Sequence, residues 1–273
     1  MVELARLGVL EAASALRARR ISAAELLAAC EVAIDARNGG EPSFEGAPTA
    51  VNAWVRRYPE IAAAQAQAAD ERLARERDAA PLLCGVPIGL KDLYAVAGLP
   101  LTASSRVLEG HVASADATAW ARLSAHGMVL VGHTHTHEFA AGGTTDQVGN
   151  PYALERSAGG SSGGSAAALA AAMVPATLGT DTAGSLRIPA ALCGVSSLKP
   201  THGRVPIDGI EPLARSLDHA GPMARSLADC GALLAALAQD GAQSTPLMPP
   251  PAPLRALPSA PRGGPRPLAG VRV

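Results

Sequence analysis

The chain has 273 residues, 48% of them apolar and 17% charged, with a formal net charge of -1. That length and apolar content supply a sizeable core for one large α/β domain or two small ones, and a near-neutral charge without a basic run excludes an electrostatic footprint for nucleic acid. Four cysteines, Cys30, Cys84, Cys193 and Cys230, stand far apart with no CxxC or zinc-like spacing, and they read as buried free thiols.

The N-terminus, MVELARLGVLEAASALRARR, is amphipathic, and Glu3 and Glu11 break up the continuous apolar core of about 7 to 15 residues that a signal peptide needs. No run of about 18 apolar residues occurs, so the expectation is a cytoplasmic chain with no membrane partner. Residues 3–18 and 23–37 read as amphipathic helices, the second opened by Ser22 with Glu25 three places on, the reciprocal pattern of a capping box. A Gly/Pro/Ser loop over 39–48 leads to a short strand candidate at 50–55. A helix over 59–78, rich in Ala, Gln, Glu and Arg, is expected on the surface. Residues 82–95, LLCGVPIGLKDLYA, read as a buried strand ending in a loop. Lys91 is anomalous in that setting: it either snorkels to water, the commoner fate of lysine, or sits desolvated with a lowered pKa.

Residues 116–126 read as a helix stopped by Gly127, and 128–132 as a short β run, a βαβ-like alternation. In the GHTHTHEF that follows, His133, His135 and His137 recur at period two and would share one face of an extended segment. Such spacing is compatible with a metal. With no Cys/His/Asp partner motif nearby, a polar strand end or loop is the simpler reading, and no metal or cofactor is expected. Residues 165–173 are Ala-rich and read as a buried helix packed closely on a sheet. Pro175 ends it, and 176–179 is a short strand. Beyond Pro189, ALCGVSSLKPTHGRVPIDG reads as a short helix, a strand and a turn, and 226–239 as a further helix. Residues 245–267 hold nine of the 22 prolines and read as an extended linker, after which PLAGVRV resembles an incoming strand, so that the chain reads as a fragment.

Two glycine-rich loops carry the candidate chemistry. Residues 159–163, GGSSG, satisfy GxSxG literally, which would make Ser161 a nucleophile on an elbow; the elbow needs a preceding strand, and NPYALERSAGG reads as loop. The same loop lacks the Gly-Lys-Ser/Thr end of a phosphate-binding loop. Ser196 to Lys199 match S-x-x-K without an S-D-N or K-T-G companion, a coincidence of spacing. The second loop, GTDTAGS, is built of small or hydroxylated residues. Consecutive N–H groups of Thr182, Ala183, Gly184 and Ser185 could face a developing oxyanion, and Ser185 could attack once a base takes its proton. Taken singly, Ser161 reads as a turn residue, Ser185 as the N-cap of 186–192, and Asp181 with Arg187 as a structural pair.

Together, GGSSGGSAAALAAAMVPATLGTDTAGSLRIPAALCGVSSLKPTHGRV and the upstream GVPIGLKD resemble the amidase signature family, over residues from about 50 to 237. The resemblance implies an α/β fold, a central mixed β-sheet flanked by helices on both faces, and hydrolysis of linear amides through an acyl-enzyme without a cofactor. By motif position it implies a Ser-cisSer-Lys triad of Ser185 as nucleophile, Ser161 as bridging serine after a cis peptide, and Lys91 as base. A base there must be neutral, so the Lys91 pKa would fall from about 10.4 toward 7 or 8. The resemblance also implies one amidase domain over 1–240, with N-terminal helices at 1–48 and a triad-bearing core at 50–240, and 241–273 as Pro-rich linker and the start of a further strand. The expected partner is a small-molecule amide, and a homodimer is compatible with the chain.

Two departures stand out. Ala183 replaces a second glycine found in many members. Ile188 and Pro189 follow Arg187 where subunits that supply ammonia for glutaminyl-tRNA formation commonly carry a glutamine, which leans toward a general amidase. Members of the family continue well past this length to complete the acyl-side pocket. A catalytically incompetent amidase-like module is therefore the alternative to an active amidase.

Overall fold

A computed structural model describes residues 3–46 and 49–238. The linker and incoming strand expected beyond residue 240 lie outside the described residues. Gly8 divides the first expected helix: a 3-10 turn, Leu4–Arg6, precedes α1 (Val9–Arg17), and Glu11 reaches back to accept the Gly8 N–H at 2.9 Å. α2 (Ala23–Arg37) begins on the expected capping box, Ser22 Oγ accepting the Glu25 N–H at 3.0 Å and Glu25 accepting the Ser22 N–H at 2.8 Å. The first strand comes later than expected, as β1 (Trp54–Arg57). Asn38 accounts for the shift: its carbonyl accepts the Asn52 N–H and its side chain the Ala53 N–H, while Asn52 turns the chain at φ 45°. α3 (Pro59–Glu76) starts on Pro59, and a 3-10 turn takes over at Arg77. It is more than a surface helix. Ala62, Ala66, Ala69 and Leu73 recur at helical spacing and are buried.

The remaining elements follow in order: β2 (Pro87–Lys91), α4 (Thr118–Ala125), β3 (Val129–Thr134), β4 (Gly149–Asn150), β5 (Ala153–Ser157), α5 (Gly163–Ala170), β6 (Ala176–Thr180), α6 (Arg187–Leu192), β7 (Ser196–Ser197), β8 (Ala220–Ala224) and α7 (Leu227–Leu237). Six strands form one mixed sheet in the order β1-β3-β2-β6-β8-β7. β2 runs parallel to both β3 and β6, while β1, β8 and β7 join antiparallel. Helices flank this sheet, α3 against β3, α5 against β6, β2 and β8, and α7 against β8. Every residue of β2, β3, β6 and β8 is buried, as expected of strands covered on two faces. Three further strands differ from the sequence expectation. The segment read as loop before GGSSG forms a small antiparallel pair, β4 with β5, and β8 lies where no strand was expected. All four cysteines are buried free thiols. Among the described residues no helix is long and apolar enough to cross a membrane.

This topology places two strand ends side by side. Leu90 of β2 pairs with Leu178 of β6, so Lys91 and Thr180 emerge together at the carboxyl ends of parallel neighbours, where α/β sheets place their ligands. The small residues of α5 let it seat against the same end. A Cβ added at Gly164 would stand 2.4 Å from His135 N and 2.5 Å from Ala53 O, both backbone atoms. Gly164→Ala is expected to destabilise the fold by about 1–3 kcal/mol, read as a lowered denaturant midpoint; an unchanged midpoint would show that α5 tolerates a wider spacing.

Candidate active site

Lys91 ends β2 and is fully buried. Its Nζ donates to Ser161 Oγ at 2.7 Å and to Thr180 Oγ1 at 2.8 Å. Desolvation holds its pKa well below the ordinary lysine value, against the pull of the Asp181 and Asp218 carboxylates. Lys91 therefore takes the desolvated fate, contrary to the commoner behaviour of lysine. The reason is long-range: the hydroxyls that receive it come from residues 70 and 89 positions further along the chain.

Ser161 stands on the loop between β5 and α5, buried, and the Gly160–Ser161 peptide is cis. Its carbonyl accepts the His137 N–H at 3.0 Å and the Thr145 hydroxyl at 3.3 Å. Gly160 is required by close approach, since a Cβ there would stand 2.0 Å from Thr144 O. The next residue, Ser162, ties the loop to β6 by donating to Thr180 O and accepting the Thr180 N–H, both at 3.2 Å. Among the described residues no histidine is hydrogen-bonded to Ser161 Oγ, so the elbow reading lacks its base and the partner is Lys91.

Ser185 lies at 8% exposure on the turn from β6 into α6. Its carbonyl accepts the Ser162 N–H at 3.2 Å, which joins the two serine loops, and its hydroxyl has no hydrogen bond to a described residue. Gly184 holds φ 146°, a conformation that L side chains rarely adopt. Among the described residues the N–H groups of Thr182, Ala183, Gly184 and Ser185 have no acceptor. Ser185 is not the N-cap expected of it taken singly: α6 has Leu186 in that place, and the Leu186 N–H goes to Asp181 at 3.2 Å.

Asp181 forms the expected pair with Arg187 and adds a second cation. Arg187 Nε and Nη2 reach it at 3.0 and 3.1 Å, and Lys199 Nζ at 2.8 Å. Burial alone would raise the Asp181 pKa; the Arg187 and Lys199 hydrogen bonds and the Leu186 N–H outweigh it and bring it down to about 2. Asp218 accepts the Thr182 hydroxyl and the N–H groups of Leu213 and Ala214 at 3.0 and 2.9 Å. Leu93, Ile207, Ile210 and Leu213 line a narrow apolar slot together with Thr180 and Thr182. Larger hollows of about 380 and 420 Å³ open near Gln147 and are lined by none of Lys91, Ser161 and Ser185. The sequence alone does not single out Ser162, Thr180, Lys199 and Asp218 as site residues. Of these, Ser162 and Thr180 lie inside the two serine-rich loops, whereas nothing local marks Asp218.

The period-two histidines serve the scaffold. His133 bonds to Tyr58 Oη at 2.8 Å and to Tyr94 O at 3.0 Å, and His137 Nδ1 to Thr144 O at 2.9 Å. His135 reaches Ser43 O at 2.8 Å and Ser104 Oγ at 3.1 Å, and burial lowers its pKa to about 4. Among the described residues no three His, Cys, Asp or Glu side chains are grouped to hold a metal.

The family model described as Amidase matches residues 44–267. A glutamyl-tRNA(Gln) amidotransferase subunit from Chloroflexus aggregans is 45% identical over 226 residues, covering 81% of this chain and 44% of that protein. The protein of the same name from Anaeromyxobacter sp. (strain K) is 45% identical over 224 residues, covering 80% and 43%. Among solved structures, native peptide amidase from Stenotrophomonas maltophilia aligns with a TM-score of 0.77 at 33% identity, over 88% of this chain and 49% of that one. A 6-aminohexanoate cyclic dimer hydrolase complexed with substrate gives 0.76 at 34% identity, over 88% and 48%. The chain thus spans about half the length of the relatives it matches. The amidotransferase relatives are subunits by name, and these findings lend no support to a homodimer. A family match over most of the residues, joined to a shared mixed sheet, shows that the chain belongs to the amidase family.

Proposed function

We propose that this chain carries the serine–lysine machinery of an amidase that cleaves a carboxamide C–N bond through an acyl-enzyme on Ser185. The observation that carries it is the buried Lys91 Nζ held 2.7 Å from Ser161 Oγ, with the Ser185 loop tied to the same place. Neutral Lys91 takes the Ser161 proton as Ser161 takes that of Ser185, and Ser185 Oγ bonds to the carbonyl carbon. The resulting oxyanion is met by N–H groups from Thr182 to Ser185. The C–N bond breaks as the amine leaves with the proton returned from Lys91 through Ser161. Water then attacks the ester by the same relay, releasing the carboxylic acid and restoring Ser185.

The test is to incubate the 273-residue chain with a fluorophosphonate and locate the adduct by mass spectrometry. Labelling at Ser185 that Lys91→Met suppresses supports the proposal. A folded chain that remains unlabelled favours the incompetent module. A second reading, transfer of amide nitrogen to glutamyl-tRNA, draws on the names of the 45%-identical relatives. Ile188 after Arg187 leans against it and toward simple linear amides. Comparing ammonia release from glutamine and from aliphatic or aromatic carboxamides separates the two.

A further inference from the structure

Arginine outnumbers lysine 21 to 2 in this chain, and both lysines, Lys91 and Lys199, point to the same site. Where only a cation is needed, this chain uses arginine. A lysine offers something different, a compact ammonium with three rotatable donors that can serve two acceptors at close quarters. Lys199 does so: Nζ donates to Asp181 Oδ1 at 2.8 Å and to the Thr182 carbonyl at 3.3 Å. Asp181 is also held by two bonds from Arg187 and one from the Leu186 N–H. The Thr182 carbonyl has no other donor among the described residues.

The peptide joining Thr182 to Ala183 is trans, and in a trans peptide the C=O and the following N–H point in opposite directions. Drawing the Thr182 carbonyl toward Lys199 therefore turns the Ala183 N–H away from Lys199, and that N–H has no acceptor among the described residues. On the other side the Thr182 hydroxyl is fastened to Asp218, so this peptide is fixed both through its carbonyl and through its side chain. We infer that Lys199 is a positioning residue for amide cleavage, which aims the Ala183 N–H at the oxyanion by holding the Thr182 carbonyl. The inference rests on the proposal that this loop is the oxyanion site.

Lys199→Met removes the donors and nearly preserves the side-chain length, while Arg187 still holds Asp181. Its kcat on a carboxamide is expected to fall by about 10- to 100-fold, less than the loss of a whole oxyanion donor, with KM changed by less than about threefold. Phenylboronic acid forms a tetrahedral adduct on a nucleophilic serine, so its Ki is expected to rise by the same factor as kcat/KM falls. Lys199→Arg keeps a cation beside Asp181 but is expected to lose at least about fivefold in kcat, because the planar fork does not match both acceptors. Should the Met variant not fold, the Arg variant carries the same comparison. A Met variant within about twofold of the parent, a rise in KM at constant kcat, or an unchanged boronate Ki beside a reduced kcat would overturn the inference. Ser185→Ala tests the underlying proposal separately. If it abolishes turnover while Lys199→Met stays within about twofold of the parent, only the role of Lys199 falls; if turnover survives it, or the parent neither turns over an amide nor binds boronate, both fall.

Discussion

Ser185→Ala is expected to lower kcat for a carboxamide by about ten-thousand-fold or more, leaving only what binding and polarisation supply. The size of the loss follows from the arrangement of the loop. Removing Oγ leaves the four N–H donors and the Lys91–Ser161 pair in place but gives them no covalent partner, so residual turnover must use water directly. Circular dichroism and the unfolding midpoint should change little, because the Ser185 hydroxyl has no hydrogen bond to a described residue. Ser185→Ala that retains about a tenth of the parent rate would remove Ser185 from the chemistry.

Lys91→Met is expected to reduce kcat/KM by about a thousand-fold or more, the upper range of general-base contributions. It also changes how stability depends on pH, and the sign can be worked out. Desolvation depresses the Lys91 pKa in the folded chain, with Asp181 and Asp218 opposing it, whereas the unfolded chain returns it to about 10.4. Between the depressed value and about 10.4 the unfolded state binds more protons, so the stability of the parent rises with pH across that window. Below the window both states are protonated and the cost of burying the ammonium is fully present. Lys91→Met has no such group. Denaturant midpoints of parent and variant should therefore move apart in the parent's favour as pH rises, by about 1.4 kcal/mol for each unit of pKa depression. A constant difference from about pH 6 to pH 10 would mean that Lys91 is not titrating within that range. The activity of the parent should rise with pH through the same folded pKa, since only neutral Lys91 accepts a proton.

Local signals and long-range contacts explain what could be seen in the sequence. The capping box at Ser22 and Glu25, the Ala-rich composition of α3 and the two serine loops are short-range patterns; the first two lead to helices, and the loops contain the Ser161 and Thr180 hydroxyls that Lys91 meets. β8 escaped because Ala-Gly-Pro-Met-Ala has neither alternation nor β-branched residues; it is a strand because β6 and β7 pair with it on its two sides. The β4–β5 pair was hidden by the polar, Pro-containing segment that forms it. The fate of Lys91 depended on hydroxyls contributed by a distant loop and by the end of a distant strand, and no window around residue 91 contains them. The histidine spacing was visible, while the carbonyls and hydroxyls that occupy those imidazoles come from elsewhere in the chain.

The bias against lysine has an experimental consequence. Protein grown on lysine labelled with carbon-13 at Cε will give two side-chain resonances, one from Lys91 and one from Lys199, and Lys199→Arg leaves a single line. The protonation state of the proposed base is then open to direct titration in the resting protein, without substrate, inhibitor or turnover, because composition has removed the crowd of lysine signals that ordinarily conceals such a group.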